Sequence, residues 1–271
     1  MNKKMLVLDI DGTLTNSKKE ITPATKEAIF KIMDKGHIVV IASGRPTPGT
    51  AKVANELELD KRGGYVLAFN GCRITNWKTK EVIYQNVLDN SLIPMLCKFA
   101  DEKQIGLISY EKDCVITSSP HDEYMELEAR INSIPIKDVD NLAEYIDFEV
   151  NKCLFSAPDK IAEQREKELV ELFSDKASIY RSEPFFIEVM PKGGDKAASL
   201  DRLVNILGMD KEDTICCGDG FNDLSMIKYA GVGVAMANAQ EVVKTEADYV
   251  TLSNDEDGLI PVIEKFILSD D

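Results

Sequence analysis

The sequence has few of the features that mark disulfide-stabilised, zinc-binding or membrane-spanning proteins. Its six cysteines are scattered, with no C-x-x-C pair and no histidine beside them. They are Cys72, Cys97, Cys114, Cys153, Cys216 and Cys217. This pattern argues against a disulfide framework or a zinc site and is typical of small buried thiols in a reducing cytosol. No apolar run approaches the roughly 20 residues that a membrane-spanning helix needs.

Basic residues are also scarce, since 32 Lys and Arg against 47 Asp and Glu give a net charge of −15. An acidic chain without a basic stretch is a poor candidate for binding nucleic acid or an anionic membrane. A small anionic substrate can still bind where a metal ion inverts the local charge. Asp9 and Asp11 interrupt the apolar run near the start, which excludes a signal peptide and favours a cytoplasmic protein. The only histidines, His37 and His121, are far apart, which argues against a histidine-based catalytic triad.

Apolar runs at 5–8, 37–42 and 65–69 predict strands that are buried on both faces, because they are apolar at every position. Helical patterns at 22–36 and 46–57 separate them. The same rhythm resumes near the C-terminus, with helices at 195–207, 223–229 and 258–268 and strands at 214–217, 232–235 and 248–251. This order predicts an α/β fold with a doubly wound, mostly parallel sheet.

The pattern changes in the middle of the chain, where short strands alternate with helices at 91–103, 120–130 and 159–173. The predicted strands there span 106–110, 114–117, 152–157 and 177–181. A chain of 271 residues is long enough for two domains. We therefore expect an inserted α+β domain over 83–186 and a core formed by 1–82 and 187–271.

Polar residues follow four of the predicted core strands, namely Asp9, Ser43, Asn70 and Asp219. Ligands of open α/β sheets bind outside the carboxyl ends of the strands. Polar side chains from four distant segments are therefore expected to meet at one edge of the sheet, which indicates a site rather than chance strand ends.

The first of these segments is Asp9-Ile10-Asp11-Gly12-Thr13. Two carboxylates so close together repel each other unless a cation or a proton intervenes. One carboxylate can attack phosphorus, and the other can protonate the leaving oxygen and later activate water. The alternative is a surface turn with two solvated acids, which the preceding apolar strand disfavours.

Two further segments suit a phosphate. Ser43-Gly44-Arg45 offers a hydroxyl and backbone N–H groups at a helix start. Lys196 lies on the same predicted helix face as Leu200, Leu203 and Leu207, so its amine can reach past the core to the sheet edge. The alternative is a surface lysine that extends into solvent.

The last segment is the loop 218–223, where Asp219 would complete a carboxylate cluster with Asp9. Carboxylate oxygens and a phosphate are the ligands that Mg²⁺ prefers. Asn222 or Asp223 could instead cap the helix that follows.

These segments, taken in order, resemble the haloacid dehalogenase superfamily in its Cof-type branch of sugar-phosphate phosphatases. The resemblance rests on the D-x-D-G-T segment from Asp9, on Ser43-Gly44-Arg45, on Asn70-Gly71, on Lys196 and on the loop 218–223. It implies a Rossmann-like core and identifies the inserted domain with that branch's C2-type cap. One departure is Ala197, where members often have glycine, and a methyl group is tolerated in a helix.

The resemblance also implies roles for individual residues. Asp9 would become an aspartyl-phosphate, and Asp11 would act as general acid and base. Mg²⁺ would be held by Asp9, Asp219 and the backbone carbonyl of Asp11. The other implied residues are Ile10, Ser43, Gly44 and Lys196 for phosphate, Asn222 for substrate, and Asp223 in support of the metal site.

The expected activity is Mg²⁺-dependent hydrolysis of a small phosphorylated metabolite. A phosphomutase on the same scaffold and a non-catalytic sugar-phosphate-binding regulator are the alternatives. Sugar phosphates are the expected substrates, with flavin mononucleotide and pyridoxal phosphate left open, as is the oligomeric state. Candidate specificity residues in the inserted domain are His121, Tyr124, Arg181 and Phe185.

Overall fold

The computed structural model describes residues 3–269 of the chain. Within that range the strands are β1 (Met5–Leu8), β2 (Ile38–Ala42), β3 (Tyr65–Ala68), β4 (Arg73–Asn76), β5 (Val82–Gln85), β6 (Gly106–Glu111), β7 (Cys114–Thr117), β8 (Ile136–Asp138), β9 (Cys153–Ser156), β10 (Ala177–Glu183), β11 (Phe186–Pro191), β12 (Thr214–Gly218), β13 (Val232–Ala235) and β14 (Tyr249–Val250). The helices are α1 (Pro23–Asp34), α2 (Thr47–Glu56), α3 (Leu59–Arg62), α4 (Ile93–Lys103), α5 (Glu123–Asn132), α6 (Leu142–Tyr145), α7 (Asp159–Phe173), α8 (Lys196–Leu207), α9 (Leu224–Tyr229), α10 (Glu241–Glu246) and α11 (Leu259–Phe266).

The first of two compact units comprises the chain up to Gly44, Thr50–Tyr84 and the chain from Asp195 onward. Its strands form one sheet in the order β14-β13-β12-β1-β2-β3-β4-β5. Pairing is parallel from β14 across to β3 and antiparallel between β3 and β4. The predicted α/β fold with a doubly wound, mostly parallel sheet is confirmed.

Capping residues define the ends of helices α1 and α8 in this unit. Thr22 caps α1, since its side chain accepts a hydrogen bond from the N–H of Thr25 at 3.1 Å, and Pro23 follows as the first helical residue. Asp195 caps α8 in the same way, and Gly208 ends that helix in the left-handed region with φ +62°.

The core of the first unit fixes α8 against one face of the sheet. Leu200 and Leu203 of α8 belong to one buried cluster with Val7 of β1, Val40 of β2 and Cys216 of β12. Burying each large aliphatic side chain contributes roughly 1.5–3 kcal/mol. This packing carries the first residue of α8 to the ends of the central strands.

The second unit comprises Arg45–Gly49 and Gln85–Gly194. Its sheet has the order β10-β11-β9-β6-β7-β8, with antiparallel pairing throughout except between β7 and β8. The sequence placed the end of the inserted domain at residue 186, but β11 begins there and pairs with β9 and β10 of the second sheet. The hydrophobic residues of β11 alone did not reveal which sheet they join.

Every helix formed by residues 3–269 is too short or too polar to span a lipid bilayer.

Candidate functional site

Three carboxylates meet at the carboxyl ends of β1 and β12. Asp9 follows β1, Asp219 follows β12, and the two strands are parallel neighbours, with the Asp9 N–H donating to the Cys217 carbonyl at 3.1 Å. One carboxylate oxygen from each of Asp9, Asp219 and Asp223 lies within 4.8 Å of the others. Asp9 is 7% exposed and Asp223 is 1% exposed, while Asp219 is half-buried, so two of the three carboxylates are largely removed from water.

Lys196 lies between two members of the acid group. Its Nζ is 2.7 Å from Oδ1 of Asp9 and 2.6 Å from Oδ1 of Asp223. The side chain is fully buried, so the alternative of a surface lysine extended along the helix is wrong. Leu200 and Leu203 pack α8 against the sheet. This packing fixes the position of Lys196, the first residue of α8, and so of its ammonium group.

Asp223 organises the loop that carries Asp219. Its Oδ2 accepts hydrogen bonds from the backbone N–H groups of Asp219 at 3.0 Å and Gly220 at 2.9 Å, while Oδ1 accepts from Lys196. A Cβ atom at Gly218 would overlap the Asp223 side chain, so a glycine is needed there. Asp223 therefore belongs to the acid group, and its bond from Gly220 also caps the 3₁₀ turn Phe221–Asp223 that leads into α9.

Gly12 and Thr13 complete the contact between the two acidic loops. Thr13 Oγ1 donates to Oδ1 of Asp219 at 2.9 Å. Gly12 has φ +82°, and a Cβ atom there would collide with the Asp219 carboxylate. No role was predicted for Thr13 from the sequence. Its hydroxyl next to two acidic residues was nevertheless a signal for a hydrogen bond to a carboxylate.

Within residues 3–269, the acid group has more negative charge than the adjacent Lys196 balances. Burial, and then the nearby Asp223 charge, raise the pKa of Asp9 to about 7 even though Lys196 opposes them. Burial also raises the pKa of Asp219 to about 6. For Lys196 burial alone lowers the pKa, but the carboxylates of Asp223 and Asp9 outweigh it and raise the pKa above its ordinary value.

One ammonium group against three carboxylates leaves an excess of negative charge. A divalent cation would remove this excess, and carboxylate oxygens are the donors that Mg²⁺ prefers. The residues present therefore fit a magnesium ion.

Asp11 lies outside the acid group among the described residues. Its Oδ1 is 2.8 Å from Nζ of Lys19, whose side chain is largely exposed, while Asp11 itself is half-buried. Its neighbour Ile10 is buried, and the Ile10 carbonyl accepts from both the N–H and the hydroxyl of Thr15 at 2.9 Å.

Two phosphate-binding candidates, Ser43 and Gly44, follow β2, and Asn70 follows the neighbouring strand β3. Ser43 is buried, and its N–H donates to the Leu67 carbonyl at 2.8 Å while its carbonyl accepts from the N–H of Asn70 at 3.0 Å. Gly44 lies against the Asn70 side chain, and Asn222 Nδ2 donates to Asn70 Oδ1 at 3.4 Å. Asn70 thus joins the Ser43 loop to the loop 218–223.

All six cysteines are free thiols, and none of them belongs to the acid group. Cys216 and Cys217 lie in β12 close to the acid group, but burial raises the pKa of both thiols well above the ordinary value. They remain protonated near neutral pH and serve as small apolar side chains.

Known proteins resemble this chain over nearly its whole length. A family model described as haloacid dehalogenase-like hydrolase matches residues 6–263. The 5-amino-6-(5-phospho-D-ribitylamino)uracil phosphatase YcsE of Bacillus subtilis is 30% identical over 266 residues, covering 98% of this chain and 96% of the relative. A solved haloacid dehalogenase-like hydrolase from Bacteroides thetaiotaomicron is 44% identical, with a TM-score of 0.93 over 97% of this chain and 99% of that one. The solved HAD subclass IIB sugar phosphatase BT4131 is 28% identical, with a TM-score of 0.80 over 97% and 99%.

Proposed function

The chain belongs to the haloacid dehalogenase-like hydrolases and is a phosphatase, and we propose that it hydrolyses sugar phosphates with Mg²⁺ through an aspartyl-phosphate on Asp9. The observation that carries this proposal is the fully buried Lys196 ammonium, which contacts Asp9 and Asp223 beside Asp219. The three carboxylates repel one another, and the contact with Lys196 orients that of Asp9, as a nucleophile requires.

Asp9 starts the reaction in this proposal. Its carboxylate oxygen attacks the phosphorus atom, a new P–O bond forms, and the bond from phosphorus to the sugar oxygen breaks. Asp11 gives its proton to that leaving oxygen, so the sugar departs as a neutral alcohol. Water then attacks the phosphorus, Asp11 takes a proton from this water, and Asp9 is released with inorganic phosphate.

Lys196 keeps Asp9 in position for this attack. Its ammonium group donates to Asp9 Oδ1 and favours the ionised carboxylate. It also lies where it can attract the negative oxygens of the transferring phosphoryl group.

Asp9, Asp219 and the backbone carbonyl of Asp11 would hold the magnesium ion, with Asp223 and Thr13 fixing Asp219. When bound, Mg²⁺ supplies positive charge that neutralises the phosphate and lets it approach the carboxylates. Ser43, Ile10 and Gly44 would contribute to phosphate binding and Asn222 to substrate binding, as the family resemblance implies.

The second unit contains a buried group of polar side chains. Strand alternation places Tyr110, Lys152, Tyr180 and Glu188 on the sheet face opposite the hydrophobic core of that unit. Lys152 Nζ lies 3.3 Å from Glu188 Oε1, the Tyr180 hydroxyl donates to Glu188 Oε2 at 2.9 Å, and the Tyr110 hydroxyl donates to Glu128 at 2.6 Å. These side chains are largely buried and pair with one another, so they stabilise the second unit from within. We propose, from the family resemblance, that this unit acts as a cap domain that recognises the sugar.

The test measures inorganic phosphate released from a panel of hexose and pentose phosphates, flavin mononucleotide and pyridoxal phosphate. We expect sugar phosphates to give the highest kcat/KM and the Asp9→Asn variant to lose nearly all turnover. Interconversion of sugar phosphates without phosphate release would indicate a mutase. Preference for either flat aromatic phosphate would overturn the sugar assignment, and turnover by Asp9→Asn near the wild-type rate would overturn covalent catalysis.

A further inference from the structure

Two asparagines from the C-terminal part of the first unit hold the loop that follows β1. Asn238 Nδ2 donates to the Gly12 carbonyl at 2.8 Å, and Asn254 Nδ2 donates to the Thr15 carbonyl at 2.9 Å. The backbone N–H of Asn254 donates to Asn238 Oδ1 at 3.0 Å, so the Asn238 side chain is tied to the backbone of Asn254. We propose that this asparagine pair, Asn238 and Asn254, positions the catalytic loop for phosphoryl transfer, an inference that rests on the function proposed above.

The loop's backbone hydrogen bonds lie at its base, and Asn238 adds a contact from outside at its tip. Within the loop, the Leu14 N–H donates to the Asp9 carbonyl at 3.2 Å and the Thr15 N–H to the Ile10 carbonyl at 2.9 Å. These bonds close the loop across its base. Gly12 lies at the tip with φ +82°, and glycine is the residue with the greatest backbone freedom.

Holding the Gly12 carbonyl fixes more than one atom. A peptide group is planar, so fixing this carbonyl also fixes the N–H of Thr13 on the same plane. Thr13 Oγ1 in turn donates to Asp219 at 2.9 Å. The contact from Asn238 therefore orients the peptide that joins the general acid's loop to Asp219.

The segment that carries Asn238 is also bonded to the second acidic loop. The Met236 N–H donates to the Gly218 carbonyl at 3.1 Å, and the Gln240 N–H donates to the Asp219 carbonyl at 3.0 Å. Residues 236–240 thus contact both loops that bring carboxylates to the acid group. A segment bonded to both loops can set the distance between Asp9 and Asp219.

Asn238 is exposed, so replacing it should cost little stability. A positioning role, in contrast, predicts a loss of kcat. A single hydrogen bond of this kind contributes only about 0.5–1.5 kcal/mol to stability. Misplacing catalytic groups by about 1 Å can lower a rate by roughly 10²-fold. Loss of the asparagine pair should therefore reduce kcat far more than it reduces stability.

The test uses the full chain with Asn238→Ala, Asn254→Ala and the control Asn205→Ala. Asn205 also donates from Nδ2 to a backbone carbonyl, that of Asp201 at 2.8 Å, but on the exposed side of α8. We expect kcat on the preferred sugar phosphate to fall about 10- to 100-fold for both anchor variants, with KM within threefold and unfolding temperatures close to those of the control. Asn238→Asp keeps the acceptor and loses the donor, so it should behave like Asn238→Ala.

A second readout is amide hydrogen exchange, measured with and without Mg²⁺. Exchange in residues 9–20 should accelerate in the anchor variants and stay unchanged in Asn205→Ala. The double variant should lose more kcat than either single variant, because Asn238 and Asn254 hold different carbonyls of the same loop. A kcat within twofold of the control, or unchanged exchange in the loop, overturns the proposal. If the wild-type enzyme releases no phosphate, the proposed function fails, while the exchange measurement still decides whether the loop is anchored.

Discussion

Replacing the proposed nucleophile should stabilise the metal-free protein. Burial and the Asp223 charge raise the pKa of Asp9 from an ordinary 3.8 to about 7. The folded state therefore holds a proton that the unfolded state releases, and the free energy of unfolding falls as the pH rises from about 4 to about 7. The difference in proton affinity corresponds to roughly 4 kcal/mol, which is lost in full above pH 7.

The Asp9→Asn variant removes this penalty and keeps the shape of the side chain. The hydrogen bond from the Lys196 ammonium lowers the pKa of Asp9, so it is already included in this difference. The expected gain is therefore at most roughly 4 kcal/mol at pH 8 without metal. For a chain of this size, each kcal/mol corresponds to roughly 2–4 °C in the midpoint of thermal unfolding.

The assay is thermal unfolding in EDTA at pH 8 and pH 5, repeated with Mg²⁺. The control is Asp213→Asn, because Asp213 also pairs with a lysine, Lys4, at 2.6 Å but lies outside the acid group. We expect Asp9→Asn to unfold at a higher temperature than wild type at pH 8 in EDTA, and the advantage to shrink at pH 5 and with Mg²⁺. The control should show no advantage. A lower midpoint for Asp9→Asn under all of these conditions would refute the electrostatic reasoning.

Three further outcomes are expected. Exhaustive EDTA treatment should abolish phosphate release and added Mg²⁺ should restore it, since unneutralised carboxylates repel a phosphate; activity that survives chelation would contradict the metal requirement. Thr13→Val removes the hydrogen bond to Asp219 and should weaken Mg²⁺ binding about tenfold by titration calorimetry, and an unchanged affinity would argue against a role for Thr13 at the metal site. Glu188→Gln leaves the buried Lys152 without its carboxylate and should lower the free energy of unfolding in urea by about 3–5 kcal/mol. The control Glu111→Gln removes a more exposed carboxylate from a similar contact with a lysine and a tyrosine, and it should lower that free energy by at most about 1 kcal/mol. Equal losses in the two variants would show that burial does not decide the difference.

Much of the site could be predicted because local sequence determines strand ends. An apolar run such as Met5–Leu8 forms a buried strand, and the polar residue after it, Asp9, lies at the edge where parallel strands end. The helical spacing from Lys196 to Leu200 and Leu203 likewise predicted which face of α8 is buried. These signals depend on residues a few positions apart.

The contacts that were not predicted join residues far apart in sequence. Asn238 and Gly12 come together only through the order of strands in the sheet, and no local pattern reports that order. The same is true of β11, whose hydrophobic residues suit either sheet, and whose partners β9 and β10 decide its unit. The buried Glu188 in that strand has its lysine partner more than thirty residues away along the chain.

Gly12 has a consequence for experiments that scan every position of the chain. Its backbone conformation and the adjacent Asp219 carboxylate exclude a side chain for two independent reasons. Any replacement would displace Asp219. A mutational scan would therefore find Gly12 to be as sensitive to substitution as a residue that takes part in the chemistry. Sensitivity at this position therefore reports a lack of space, and it identifies catalytic residues only when it is combined with tests that preserve side-chain volume.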